Sequence, residues 1–169
     1  MGLTKTVSLA AAIVAFTSSA TMAADLLMEP PPAPEEIMTS GWDGIYIGGT
    51  VGYYVSGYAN LDAVIGGNFT VAESFLLGFE AGGGPYFDVG GGGGNGFEGY
   101  VAGRAGIIAG DSALLYGVLG YEAYTWGGTG FFGGAGAEFM VADQTSLRVQ
   151  GVMYQGGDIN VSTGVFWHF

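Results

Sequence analysis

Apolar residues alternate with small or polar residues in eight segments between Trp42 and Phe169. Each segment is about ten residues long and ends in a turn or a glycine-rich break. Successive side chains of a β-strand point to opposite faces, so the alternation predicts strands with one apolar face and one polar face. We place these strands at about 44–55, 61–71, 75–87, 97–109, 113–125, 131–141, 146–155 and 159–169.

The apolar faces of these strands are too large for the rest of the chain to cover. In every predicted strand the ionisable side chains can share the opposite face. A sheet that closes on itself, with lipid outside and polar groups inside, accommodates both faces and pairs every backbone amide. The pattern therefore predicts an all-β fold, an eight-stranded antiparallel up-and-down transmembrane β-barrel over residues 42–169.

The composition agrees with strands in a membrane. Charged residues make up 11% of the chain, against roughly 25% in soluble domains. The mean hydropathy is +0.41. The net charge of −12 speaks against nucleic acid as a partner, because no basic patch could neutralise phosphates. The chain has no cysteine, which excludes disulfides and thiolate metal sites.

The first 41 residues divide into two regions. Residues 1–23 have the features of a signal peptide: Lys5, the apolar run Val7–Phe16, and a small-x-small cleavage site that ends at Ala23. The apolar run is too short to span about 30 Å of hydrocarbon as a helix. Residues 24–41 are acidic and rich in proline, which predicts an extended tail, either a spacer or a docking segment.

An even number of strands puts both ends of the barrel on one side of the membrane. We assign that side to the periplasm. Short periplasmic turns are then expected near residues 72–74, 110–112 and 143–145. Surface loops are expected near residues 56–60, 88–96, 126–130 and 156–158.

Outward aromatic residues are expected at two levels, because aromatic rings favour both lipid–water interfaces. The predicted outer girdle consists of Tyr53, Phe87, Phe97, Tyr121 and Phe131. The predicted periplasmic girdle consists of Phe69, Phe75, Phe139, Trp167 and Phe169.

Three parts of the sequence carry motifs of a known family. They are the segment Gly41–Gly49 followed by Val51-Gly52-Tyr53, the pair Gly134–Phe139 and Asp143–Arg148, and the last residues Val165–Phe169. In this order they resemble the first strand, the penultimate hairpin and the final strand of the small opacity-type, OmpA-like outer-membrane porins of Gram-negative bacteria.

The resemblance implies a β-barrel in the outer membrane with lipid as its main partner. It also implies that the terminal aromatic residue, Phe169, is read by the barrel-assembly machinery during biogenesis. The predicted loops are shorter than those of adhesive relatives. Glycines on the outward face would let two barrels approach closely, so a homo-oligomer is one interpretation. The curvature of the barrel explains the same glycines equally well.

The lumen of an eight-stranded barrel is just wide enough for side chains to fill it. If the loop after the third strand is centred at Gly92, Glu80 faces Arg104. If the turn after the sixth strand is centred at Asp143, Glu138 faces Arg148. Each arginine then has a carboxylate partner, which a buried charge requires. This predicts a polar plug, with an ion-selective constriction as the alternative.

Two further lumen carboxylates, Glu98 and Glu122, are predicted to face each other across the fourth and fifth strands. Adjacent carboxylates disfavour double ionisation.

The sequence predicts no enzyme and no cofactor. His168 is the only histidine, and a triad with Ser162 and Glu138 would need contacts across about 20 Å of strand. The glycine-rich segment 90–96 lacks the Lys-Ser/Thr of a phosphate loop, so we interpret it as a flexible surface loop. Turn aspartates usually shape turns, with calcium binding as the alternative. These aspartates are Asp88, Asp111, Asp143 and Asp158.

Three functions fit these patterns. We favour an outer-membrane protein that contributes to envelope integrity and has at most a narrow passive pore. The alternatives are a surface recognition protein that acts through its loops, and a soluble binding barrel of lipocalin type. Short loops weigh against the former, and an apolar outer face weighs against the latter.

Overall fold

The computed structural model describes residues 41–110, 112–125 and 127–169. The predicted signal peptide and the proline-rich tail up to residue 40 lie outside the described residues, as do Asp111 and Trp126. In the described part of the chain, no helix is long and apolar enough to cross a membrane. The strands there are β1 (Gly44–Tyr54), β2 (Tyr58–Ala72), β3 (Phe75–Asp88), β4 (Gly96–Ala109), β5 (Ala113–Tyr124), β6 (Thr129–Ala142), β7 (Thr145–Tyr154) and β8 (Ile159–His168).

These strands form a closed antiparallel barrel. Each strand pairs with its neighbours in chain order, and β8 closes the sheet on β1. Every strand end lies within three residues of its predicted position. The predicted fold class, an all-β barrel of eight antiparallel strands, is confirmed.

The stagger of the strands sets the shape of the barrel. Starting from Gly44, the register partner on each next strand can be followed once around the barrel. This path returns to β1 at Tyr54, ten residues beyond its starting point. With about 3.3 Å per residue and about 4.8 Å between strands, this stagger tilts the strands by about 40°. A barrel of this strand number and tilt has an interior that side chains fill.

The three short turns lie at the end of the barrel that also carries the start of β1 and the end of β8. We call it the turn end, and the opposite end the loop end.

The β2–β3 and β6–β7 hairpins each carry an extra residue, Val71 and Val141, just before the turn. No described residue other than glycine has positive φ. A two-residue turn without a residue of positive φ matches the right-handed twist of the flanking strands poorly. The extra residue of the bulge supplies the additional twist.

The two faces of the sheet differ sharply. Large aliphatic and aromatic side chains on the outer face are exposed along every strand. The inner face buries the polar and charged side chains Asn60, Asp62, Asn68, Glu80, Glu98, Arg104, Glu122, Glu138, Arg148, Asn160 and His168. The buried polar and charged side chains of the described residues thus lie mainly in the lumen, which is where we look for a functional site.

Candidate functional site

The buried ionisable side chains of the lumen form two layers. The layer nearer the turn end consists of Glu80, Arg104, Glu138 and Arg148, which we call the ion cluster. The layer nearer the loop end contains Asp62, Glu98 and Glu122. The first layer balances its charges internally, and the second contains carboxyl groups alone.

Each arginine of the ion cluster contacts both glutamates. Arg148 lies 2.8 Å from Glu80 and 3.0 Å from Glu138. Arg104 lies 3.0 Å from Glu138 and 4.0 Å from Glu80. Since these side chains are almost completely buried, the charges are neutralised by one another and not by water.

The structure agrees with one predicted register in this layer and corrects the other. Glu138 stands directly opposite Arg148 on β6 and β7. The predicted register of Glu80 with Arg104 is wrong by two residues, because Glu80 faces Ala102 and Arg104 faces Gly78, although the two side chains still lie 4.0 Å apart. The β3–β4 loop is centred one residue earlier than the prediction assumed. Arg104 nevertheless reaches Glu138, two strands away, because the lumen is narrow.

Aromatic rings surround the two guanidinium groups. The Arg148 guanidinium carbon lies 3.7 Å from the centroid of the Phe166 ring. The Arg104 guanidinium carbon lies 4.8 Å from the centroids of both Tyr46 and Tyr116. Tyr46 also donates a 2.8 Å hydrogen bond to Glu80. Cation–π attraction is strongest at such desolvated sites. Sequence reasoning missed this role, although strand alternation already placed Tyr46 and Tyr116 on the inner face.

Trp42 and His168 close the lumen at the turn end. Trp42 is buried, with its ring edge-on to His168 at a centroid distance of 5.6 Å. Ser146 lies 3.0 Å from His168 Nε2 and donates a 2.5 Å hydrogen bond to Glu138. His168 Nε2 also lies 3.3 Å from Glu138.

A nucleophile–base–acid relay uses the two ring nitrogens of the histidine for different partners. Here one nitrogen faces both partners, and Ser146 is completely buried. The serine beside His168 is thus Ser146, whereas the sequence already excluded Ser162 by its distance along the strand. This group is a hydrogen-bonded network beneath the ion cluster.

The carboxyl layer differs from its predicted register. Glu98 stands opposite Tyr124, and Glu122 stands opposite Tyr100. The predicted facing of Glu98 and Glu122 is therefore wrong by two residues, because the β4–β5 turn is centred one residue later than that pairing required. The two glutamates are linked through Tyr54, whose hydroxyl lies 2.9 Å from Glu98 and 3.4 Å from Glu122.

Asp62 completes the carboxyl layer on β2. Its Oδ2 accepts a 2.6 Å hydrogen bond from Asn60, whereas its buried Oδ1 has no hydrogen-bond partner among the described residues. Asp62, Glu98 and Glu122 line a cavity of about 30 Å³ in the lumen, which Arg148 borders. That volume admits about one water molecule or small ion.

A larger cavity of about 510 Å³ opens at the loop end, and we call it the mouth cavity. Glu98 lines both this cavity and the small one beneath it. The walls include Tyr54, Tyr58, Tyr86 and Tyr124. The rings of Tyr58, Tyr86 and Tyr124 follow one another edge-to-face at centroid distances of 5.8 Å. Asp158 lies at the rim.

The described turn aspartates at the loop end bind backbone groups. The Asp88 carboxylate accepts hydrogen bonds from the amides of Gly90, Gly91, Gly92 and Gly93 at 2.5 to 3.0 Å. These bonds hold the pKa of Asp88 below its ordinary range. The segment predicted to be a flexible loop is thus wrapped around one carboxylate.

Asp158 shapes the β7–β8 connection in a similar way. It accepts bonds from the Ser56 amide and hydroxyl and from the Ile159 amide. Asp143 lies exposed in the β6–β7 turn. No cluster of three or more described histidine, aspartate or glutamate residues could hold a metal ion.

The aromatic residues predicted for the two girdles all lie exposed on the outer face. Tyr53, Phe87, Phe97, Tyr121 and Phe131 lie toward the loop end, and Phe69, Phe75, Phe139, Trp167 and Phe169 lie toward the turn end. With about 3.3 Å per residue and the tilt of about 40°, the register separates the two levels by about 23 Å along the axis. Phe79 lies on the outer face between them.

Comparison with solved structures places this chain among β-barrels of the same size. The N-terminal β-barrel domain of OprF from Pseudomonas aeruginosa aligns at 15% identity over 74% of this chain and 96% of that chain, with a TM-score of 0.55. A de novo designed transmembrane β-barrel aligns at 20% identity over 78% of this chain and 98% of that chain, with a TM-score of 0.53. At these identities the likeness concerns the fold alone. No protein-family model matches the sequence, and no curated protein matches it.

The ion cluster predicts a large energetic effect for Glu138. Replacing Glu138 by glutamine leaves two buried arginines with one carboxylate, and we expect the free energy of unfolding to fall by about 3–5 kcal/mol. Urea titration of protein refolded into lipid vesicles measures this change. Glu73→Gln, in an exposed turn, is the matched control and should change stability by less than about 0.5 kcal/mol. Equal losses in both variants would refute a special role for the cluster.

The Asp88 hydrogen bonds predict a pH dependence of the loop. A pKa lowered by folding contributes stability above the unfolded pKa of about 3.9, and this contribution is lost as the pH falls through the folded value. The amide NMR shifts of Gly90–Gly93 should therefore stay constant from neutral pH to about pH 4 and change together below it. Asp88→Asn should show altered shifts at every pH. Shifts that move independently of one another would contradict the shared acceptor.

Proposed function

We propose that this protein is an outer-membrane β-barrel that contributes to envelope integrity and has at most a narrow passive pore. The observation that carries the proposal is the separation of side chains across the sheet. Thirty large hydrophobic side chains are exposed in the described residues, while the charged side chains of the two lumen layers are buried. A water-soluble lipocalin-type barrel needs the reverse distribution.

The dimensions of the outer face support a location in a bilayer. The two aromatic levels bracket an aliphatic band about as tall as the roughly 25 Å apolar band of outer-membrane barrels. The likeness to a designed transmembrane barrel is consistent with this location. The signal-like residues 1–23 support export, and the aromatic Phe169 directly after β8 supports recognition by the barrel-assembly machinery, with both ends of the barrel in the periplasm.

The filled lumen supports a structural role over transport and catalysis. The ion cluster, its aromatic rings and Trp42 occupy successive levels of a narrow interior. A recognition role would depend on the loop end, where the connections between strands are only three to seven residues long. Outer-face glycines such as Gly103, which has open space around it, would allow a second barrel to approach.

Whether the outer face contacts lipid can be tested by placing an arginine at two depths and comparing the loss in free energy of unfolding. Leu119 lies midway between the aromatic levels, and Val55 lies level with the outer aromatic residues Phe87 and Phe97, with almost equal exposure of 67% and 68%. In vesicles, Leu119→Arg should lower the free energy of unfolding by about 2–4 kcal/mol, and Val55→Arg by less than about 1 kcal/mol. On a soluble barrel the two substitutions should be equally mild, and that result would end the proposal.

Planar bilayer recordings test the pore. Because the ion cluster and its aromatic rings fill the cross-section, we expect at most brief openings of low conductance at any voltage. A sixteen-stranded porin, which has an aqueous channel, serves as the positive control in the same bilayers. Heat-modifiable migration of the purified protein on a gel verifies that the recorded sample is folded. A steady current through folded protein would contradict a plugged lumen.

A further inference from the structure

We propose that the mouth cavity binds a small organic ammonium ion. The site combines tyrosine rings on its walls, Glu98 at its floor and a volume of about 510 Å³. That volume lies within the range of small-molecule pockets, which is about 300–1,000 Å³. This inference concerns the loop end and does not depend on whether the barrel conducts.

The charge of the site selects a cation. Asp62, Glu98 and Glu122 lie in and just below the cavity floor. Among the described residues no lysine, arginine or histidine lines the mouth cavity. Arg148 borders the small cavity beneath, but Glu80 and Glu138 already neutralise it. The carboxyl layer therefore has no positive partner of its own, and a cation bound from solution would supply one.

A second observation points to a missing partner directly beneath the mouth cavity, in the small cavity that shares Glu98 with it. Asp62 is 5% exposed, and its Oδ1 has no hydrogen-bond partner among the described residues. Asp62 lines the small cavity together with Glu98, which also lines the mouth cavity. A buried acceptor without a donor is costly, and a water molecule in the small cavity, beneath a cation bound in the mouth cavity, would satisfy it.

The walls favour an organic cation over a metal ion. The described carboxylates do not group closely enough to hold a metal. The edge-to-face series Tyr58, Tyr86 and Tyr124 instead lines the cavity with aromatic surface. Aromatic cages with a nearby carboxylate are the usual recognition device for quaternary ammonium groups. A polar neutral ligand such as a sugar would leave the carboxyl groups of the floor without a positive partner.

The test uses choline as the probe and its uncharged isostere 3,3-dimethylbutan-1-ol as the comparison. Folded full-length barrel is titrated by calorimetry in a polyoxyethylene detergent, because that head group carries neither an ammonium nor a sugar. We expect choline to bind with one-to-one stoichiometry and the isostere to bind at least about tenfold more weakly. Equal binding of the two, no binding of choline, or preferred binding of maltose or Ca²⁺ would overturn the proposal.

Two sets of variants assign the binding to this cavity. Glu98→Gln keeps the acceptor for Tyr54 and removes the charge, and should weaken choline binding about tenfold. Tyr86→Phe should bind within about twofold of the wild type, and Tyr86→Leu about fivefold more weakly, since only the latter loses the ring. Glu73→Gln, which removes a charge at the turn end, should bind like the wild type. The assignment would be overturned if Glu73→Gln lost as much choline affinity as Glu98→Gln. It would also be overturned if the two Tyr86 variants bound choline equally well.

Discussion

The structure depends on burying charge inside a cylinder whose outside is apolar. Two arginines and two glutamates share the lumen, and each arginine contacts both glutamates. A charge left alone in such a space costs several kcal/mol, so the cluster requires all four members together. The four side chains come from β3, β4, β6 and β7. Closure of the barrel is therefore what completes the cluster, and the cluster in turn fills the closed barrel.

Aromatic residues serve different purposes on the two faces. On the outer face they lie mainly at two levels, where rings favour the lipid–water interfaces. In the lumen Tyr46, Tyr116 and Phe166 cover the guanidinium groups, and at the loop end tyrosines line a cavity above unpaired carboxyl groups. The lumen is thus polarised along its axis, with a neutralised plug at the turn end and an acidic, aromatic opening at the loop end.

Much of the fold could be predicted from the chain, because a period of two leaves each strand only one choice of outward face. Leu119 and Glu122, three residues apart on β5, lie on opposite faces as expected. The site was less predictable. Glu80 and Arg104 stand two residues out of their expected register, because register across a loop depends on its turn geometry and not on alternation. Glu98 and Glu122 differ from expectation for the same reason.

The sequence by itself determined the strands, their faces and which residues enter the lumen, since these follow from local alternation. Only the tertiary structure decided which of those residues meet. Arg104 contacts Glu138 from a strand that is not its neighbour, and Tyr54 joins Glu98 to Glu122 across the lumen. Such contacts depend on stagger and diameter, which are properties of the closed sheet as a whole. No segment of the chain encodes them locally.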